Sequence, residues 1–237
     1  DAEVYNKPLS LPEKWNLDNF RRLLSESDLD VSFRNSVFVT ILSVLLTLIF
    51  ASLASFAIVR MITVTGKVLA GLFALGLAIP AQINIVPVYY IFRDLGLTNS
   101  FLGLIIINVT TTLPISIFIL TAFFREISRE MYEASEVDGA SPLRTLFSIK
   151  IPLMAQAFTI ALFLTLRGGF MAYDVNVALT GGGPFRTTEL ISMHIFQDAF
   201  ANGNFDTGQS KAVIMFLVVA LAALLQVSVS KRMEVQR

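Results

Sequence analysis

The sequence has no cysteine, one histidine and one tryptophan, and only 15% of its 237 residues are charged. Without thiols there can be no disulfide and no thiolate metal site. The lone histidine, His194, falls in a run at 190–202 that reads as a short amphipathic helix, and an isolated imidazole argues against a metal centre or a histidine-activated nucleophile. Lys and Arg number 18 and Asp and Glu number 18, for a net charge of zero, so the basic face that nucleic-acid binding needs is missing. No G-x-x-x-x-G-K-[ST] phosphate loop occurs. Gly181-Gly182-Gly183-Pro184 is rich in glycine but lacks the lysine and hydroxyl that contact phosphate and magnesium. No signal peptide is expected in the opening segment, since residues 1–30 are polar and carry Trp15 and several acids.

What is present is apolar. The chain is 54% hydrophobic with a mean hydropathy of +0.68, whereas a soluble domain carries about a quarter charged residues. Residues 35–59, 68–92, 95–124 and 212–230 contain no Asp, Glu, Lys or Arg. Each run is long enough, as helix, to cross a hydrocarbon core of roughly 30 Å. A fifth run, 151–173, is interrupted only by Arg167. Helices satisfy their own backbone polar groups in such runs, so the expected class is an all-α polytopic transmembrane bundle. Spans are expected at about 35–59, 68–92, 101–124, 152–174 and 210–230, with residues 1–34 as an outer-face segment.

Five spans put the two ends on opposite sides. One side collects Arg60, Lys67, Arg125, Arg129, Arg144, Lys150, Lys231, Arg232 and Arg237. The basic residues of the other side are spread over a longer length, so the positive-inside rule favours a cytoplasmic 125–151 loop. The first span is rich in Ser, Thr and Ala, which suits close helix packing in lipid. The second holds Pro80, Gln82, Asn84 and Pro87, whose prolines break the helical ladder. That break reads equally as a simple kink or as the lining of a cavity. Asn108 and Pro114 lie in the third span. Arg167, mid-span, faces either a pathway or a static partner, with Asp174 seven residues on as the candidate ion-pair mate. Phe170, Met171 and Tyr173 beside it serve a sugar face or ordinary packing.

The 125–151 loop is the most informative segment. Ser128 is placed to cap a helix running to about Asp138, and Gly139 can take the left-handed geometry that ends it. Ser141-Pro142 reads as N-cap and N1 of a second helix that runs to about Lys150. A helix–Gly–helix elbow is stiff enough to transmit force. Glu126, Glu130, Glu133, Glu136 and Asp138 would be repelled by an anionic leaflet, so a protein contact suits the elbow better than a lipid one.

The pattern Glu133, Ala134, Asp138, Gly139, Ala140, Phe147, Ile149 and Pro152 resembles the E-A-A loop of ABC importer permeases, with Ser135 in place of the second alanine and Ile151 in place of the usual leucine. Pro87 and Tyr89, with the run from Leu95 to Ser100 and Gly103, are similar to the matching stretch of the carbohydrate permeases. Ala178-Leu179-Thr180-Gly181-Gly182-Gly183-Pro184 with Thr187-Thr188 resembles the L-T-x-G-G-P signature of the sugar permeases. The resemblance implies a type I importer fold and alternating access for a sugar or oligosaccharide. It implies a coupling surface at Glu133, Ala134, Ser135, Asp138, Gly139, Ala140, Phe147 and Pro152, in which Glu133 pairs with a basic residue of a separate ATPase. It also implies that ATP and Mg2+ belong to that partner and that this chain is not itself an enzyme. The expected partners are a second permease subunit in a heterodimer, two ATP-binding subunits and an extracytoplasmic solute-binding protein received at Gly181, Gly182, Gly183 and Pro184. The pathway candidates are Gln82, Asn84, Asn108, Arg167, Tyr173 and Asp174. Glycerol-3-phosphate and uronic oligosaccharides are alternative cargoes within the family, whose members usually begin with one further span. An ion-coupled secondary transporter is the rival class, but neither internal repeats nor buried carboxylates are visible. An intramembrane protease lacks its paired acids or its Ser–His arrangement. The location implied is the bacterial inner membrane.

Overall fold

The computed structural model describes residues 18–26, 29–61, 63–127, 142–145 and 150–233. Its elements are α1 (Asp18–Glu26), α2 (Leu29–Arg60), α3 (Val64–Ala78), a 3-10 turn (Ala81–Asn84), α4 (Ile85–Asp94), α5 (Phe101–Glu126), a short helix (Pro142–Thr145), α6 (Ala155–Phe170), α7 (Asp174–Thr180), α8 (Ile191–Phe196), a π turn (Gln197–Ala201) and α9 (Phe205–Met233). No strand occurs among the described residues, so the all-α class holds.

Helices α2, α5 and α6 form the core. α2 and α5 run in the same direction. Phe38 meets Phe101 at 5.5 Å between ring centroids, Phe56 meets Phe124 at 5.9 Å, and Thr47 and Thr112 share a 3.1 Å hydroxyl hydrogen bond between those levels. Ser55 Oγ donates to the Ile117 carbonyl at 3.1 Å. α6 runs the opposite way, since Phe170 faces Phe33 while Met154 and Ala157 join the cluster of Ala51, Ile58, Ile117 and Leu120. Lipid gives apolar helices no hydrophobic reason to associate, so small residues and interhelical hydroxyl bonds carry the contact. α9 lies antiparallel to α6, with Gln226 Nε2 donating to the Thr159 carbonyl at 2.9 Å. Its other faces expose Phe216, Leu217, Leu221, Leu224 and Leu225. Such an exposed apolar surface suits a lipid or protein environment and not water.

Three helices are long and apolar enough to cross a membrane, Leu29–Arg60, Phe101–Glu126 and Phe205–Lys231, and two bent helix pairs bring the number to five if each is taken as one span. The expected kink at 68–92 is a 92° bend between Val64–Ala78 and Ala81–Asp94. Its cause is Pro80, which lacks an amide donor and holds Ile79 extended before it. Pro87 falls in the first turn of α4, where a missing donor costs little. The fourth span, expected at 152–174, is Ala155–Phe170 followed after a 51° break by Asp174–Thr180. The first span begins at Leu29 rather than 35, so Asn35 sits inside a helix and is buried.

Ser100 caps α5 as its hydroxyl accepts from the Gly103 amide at 3.0 Å. A Cβ at Gly103 would approach the Leu97 carbonyl oxygen, which is why this turn carries glycine there. Asn99 in the same turn donates its amide to the Leu179 carbonyl at 3.2 Å, joining the 95–100 turn to α7.

Candidate functional site

The outer loop between α7 and α8 is built on two buried asparagines. Asn176 Nδ2 donates to Thr180 Oγ1 and to the Thr188 carbonyl, each at 2.8 Å, while its Oδ1 accepts from the Leu190 amide at 2.9 Å. Asn35, reaching across from α2, donates to the carbonyls of Thr187 and Glu189 at 3.1 Å. Ser36 Oγ accepts from the Ile191 amide at 2.8 Å. The loop's far side is thereby fixed to the core before its tip is considered.

Gly181, Gly182 and Gly183 have φ of 52°, 89° and 73°. This run of left-handed residues is what the glycines of the sequence motif supply. Gly183 has no room for a side chain either, as a Cβ would lie 2.5 Å from Thr188 Oγ1. Phe185 and Arg186 follow at φ 55° and 63°, a conformation non-glycine residues adopt at a cost. The consequence is a division of directions. Phe185 is 99% exposed, and Arg186 turns inward to put its Nε on the Glu189 carboxylate at 2.5 Å.

Behind the tip lies a chain of charge. Glu189 is 1% exposed, Lys211 5% and His194 8%. Arg186 Nη2 lies 2.6 Å from His194 Nδ1, and Glu189 Oε1 lies 3.5 Å from the same nitrogen. Lys211 Nζ lies 2.9 Å from His194 Nε2 and 2.7 Å from Asp198 Oδ2. Burial pushes the Glu189 carboxyl up, but hydrogen bonds from His194 and Arg186 outweigh it and hold the group below its ordinary range. Asp198 is likewise held low, its burial outweighed by bonds from Lys211 and Asn204. A depressed carboxylate contributes stability above its unfolded titration range and loses it as pH falls through the folded value, so both acids remain ionised at mildly acidic pH. His194 has no lone pair free for a metal, and no metal-binding group of acids and histidine occurs among the described residues.

The expected pathway residues separate into two groups. Gln82 and Asp174 come together, with Gln82 Nε2 donating to Asp174 Oδ2 at 3.4 Å. Asn84 lines a cavity of about 270 Å³ in the bend of the second span, opposite Thr110, Thr111, Ile79, Val88 and Leu179. Both threonine hydroxyls there are bonded within α5, so the cavity is mainly apolar. The sharp bend and this cavity favour the cavity-lining reading of Pro80–Pro87 over a simple kink. Asn108 is buried in α5, and Tyr173, half-buried, packs one face on Phe196 at 4.7 Å.

The expected Arg167–Asp174 pair is not formed. Seven-residue spacing aligns two side chains only on a continuous helix, and the 51° break falls between them. Arg167 is exposed in one stripe with Ile160, Phe163 and Met171, and no carboxylate among the described residues lies within ion-pair range of it.

Of the expected coupling residues, Glu133, Ala134, Ser135, Asp138, Gly139, Ala140 and Phe147 lie outside the described residues. Pro152 sits in the helical turn Ile151–Leu153 that leads back into the core through buried Met154. Lys150 and Arg60 both cover the Phe56 ring, at 4.7 and 5.2 Å, which fixes where the chain re-enters the bundle.

Sequence reasoning missed Asn35, Asn176, Glu189 and Lys211. Asn176 was detectable as a polar residue four before Thr180 in the glycine signature. The long-range reach of Asn35 has no local signal.

Comparison with known proteins agrees with this architecture. Residues 48–235 match the family described as binding-protein-dependent transport system inner membrane component. A probable starch degradation products transport system permease protein of Thermoanaerobacterium thermosulfurigenes is 38% identical over 143 residues, covering 60% of this chain and 49% of that protein. A trehalose/maltose transport system permease protein of Thermococcus litoralis is 30% identical over 228 residues, covering 95% of this chain and 81% of its own length. The crystal structure of a bacterial ABC transporter involved in alginate import superposes with a TM-score of 0.76 at 17% identity, over 97% of this chain and 86% of that one, a likeness of fold. The chain belongs to the family of inner membrane components of binding-protein-dependent transport systems.

Proposed function

We propose that this chain is one transmembrane subunit of an ATP-driven importer for a sugar or oligosaccharide handed over by an extracytoplasmic binding protein. The observation that carries this reading is the outer loop. A phenylalanine left wholly in solvent on a strained, well-anchored turn has no folding rationale and fits a protein contact. The names of the starch-product and trehalose/maltose relatives support a carbohydrate cargo. Gly181, Gly182, Gly183 and Pro184 shape the turn, and Phe185 enters an apolar recess of the binding protein. On the inner side, Glu133, Ala134, Ser135, Asp138, Gly139, Ala140, Phe147 and Pro152 seat in a separate ATPase. That partner holds ATP and Mg2+, and this subunit does no chemistry. Two ATPase subunits and a second permease complete the assembly.

Phe185→Ala tests the docking. In the purified complex it is expected to raise the half-saturating concentration of binding protein for ATPase stimulation about fivefold or more, as loss of a buried aromatic anchor does. Stimulation that saturates as in the unaltered complex would refute the contact.

A second reading concerns the cargo. Arg167 is exposed in the last turn of α6 without a carboxylate partner among the described residues. A guanidinium so placed suits a cargo bearing an acidic group, such as a uronic oligosaccharide, better than a neutral one.

A further inference from the structure

Glu189, His194, Asp198 and Lys211 are buried or nearly so, and Arg186 reaches in to join them, yet none is at the loop tip or in a span's pathway face. Together they link three elements. Arg186 and Glu189 belong to the loop, His194 to α8 and Asp198 to its π turn, and Lys211 to the first turns of α9. Arg186 is the residue after Phe185, and both are left-handed. The direction of Phe185 is therefore tied to where the Arg186 side chain is held. Glu189 and His194 hold it, and Lys211 holds His194.

We propose that Lys211 and His194 are positioning residues for docking: through Glu189 and Arg186 they keep the Phe185 turn in its projecting geometry. This rests on the docking role of Phe185 proposed above.

The charges explain why the chain of residues holds together. Arg186 and Lys211 stand against Glu189 and Asp198 on either side of the imidazole. The two ring nitrogens face groups that only donate, Arg186 Nη2 at 2.6 Å from Nδ1 and Lys211 Nζ at 2.9 Å from Nε2, so the ring supplies an acceptor between them while Glu189 and Asp198 take their other hydrogens. The loop is tied as well to Asn35 and Ser36 of α2 and to Asn176 of α7. The cluster is thus a joint between the first turns of α9 and the loop tip.

The test uses the intact importer complex in nanodiscs, with ATPase rate read against binding-protein concentration. Lys211→Met is expected to raise the half-saturating concentration about fivefold with a maximal rate within about twofold, and Lys211→Arg to restore most of it. His194→Gln, whose amide keeps a donor and an acceptor, is expected to keep most of the docking, whereas His194→Leu, which has neither, is expected to raise half-saturation as Lys211→Met does. If Lys211→Met does not assemble, the comparison of the two His194 variants decides alone. Half-saturation that is unchanged in an assembled Lys211→Met complex, or identical in His194→Gln and His194→Leu, overturns the proposal. Phe185→Ala separates the two levels. If it weakens docking while the Lys211 and His194 variants behave as the unaltered complex, the joint is refuted and the docking stands. If Phe185→Ala has no effect, the docking reading itself fails.

Discussion

Gly169 marks a close approach of α6 to α2. A Cβ built there lies 2.6 Å from Thr40 Oγ1 and 2.7 Å from its methyl carbon. Thr40 is itself buried, and its hydroxyl has no hydrogen-bond partner in the structure. The pair is held by shape, not by bonding, as expected where lipid supplies no hydrophobic drive between helices. Gly169→Val must therefore push the helices apart or force Thr40 off its rotamer, at a cost of roughly 1–3 kcal/mol. The expected result is a lower midpoint of thermal inactivation in detergent, with Thr40→Ala in the same chain recovering part of the loss. An unchanged midpoint would show that the crossing adjusts freely. The same scale explains why Asn176 and Asn35 matter more than their number suggests. Each satisfies backbone groups that the irregular 181–190 segment cannot pair internally.

At the scale of elements, breaks are as informative as helices. Pro80 announces the 92° bend of the second span, and the charge-free runs announce the long helices α2, α5 and α9. The break after Phe170 has no proline, so the sequence read through it and joined Arg167 to Asp174 on one face. Tertiary packing decides that break, with Ala172 buried in the Val39, Leu104, Ile105 cluster and Tyr173 against Phe196. The glycine signature was legible because a left-handed run demands glycine. The ion chain behind it was not, because its members are spread from 186 to 211 and only the fold brings them together. The proposed coupling role of the 125–151 loop comes from its motif. Gly139 is the one residue there able to take a left-handed bend without strain. Gly139→Val is expected to leave ATP hydrolysis measurable while uptake into proteoliposomes falls about tenfold or more, the signature of lost coupling. Uptake and hydrolysis that fall in step would instead mean that the elbow only holds the ATPase in place.

For the whole molecule, the question is what covers the surfaces that a single chain leaves open. Exposed Leu, Ile and Phe on α2, α3 and α9 fit lipid tails or a second permease equally well, but Arg167 fits neither without an anion. A guanidinium at mid-bilayer costs about 2.5–3.5 kcal/mol on insertion scales, more when it cannot snorkel to the interface. Its place between Phe163 and Met171 on the exposed stripe of α6 leaves two candidates for that anion, a cargo in a water-filled path and a carboxylate of a partner subunit. These differ in what Arg167→Ala does. If the fork binds cargo, uptake of a uronic trisaccharide by the reconstituted complex should fall about tenfold, the worth of one charge-assisted bidentate contact. Uptake of a neutral trisaccharide should stay within about twofold, and Arg167→Lys should fall between, since an ammonium keeps the charge but not the fork. If the fork instead pairs with the second permease, both cargoes lose equally and the isolated complex dissociates at lower salt. Equal loss would remove the anionic-cargo reading and leave Arg167 as a subunit contact, with the sugar-importer assignment resting on the outer loop.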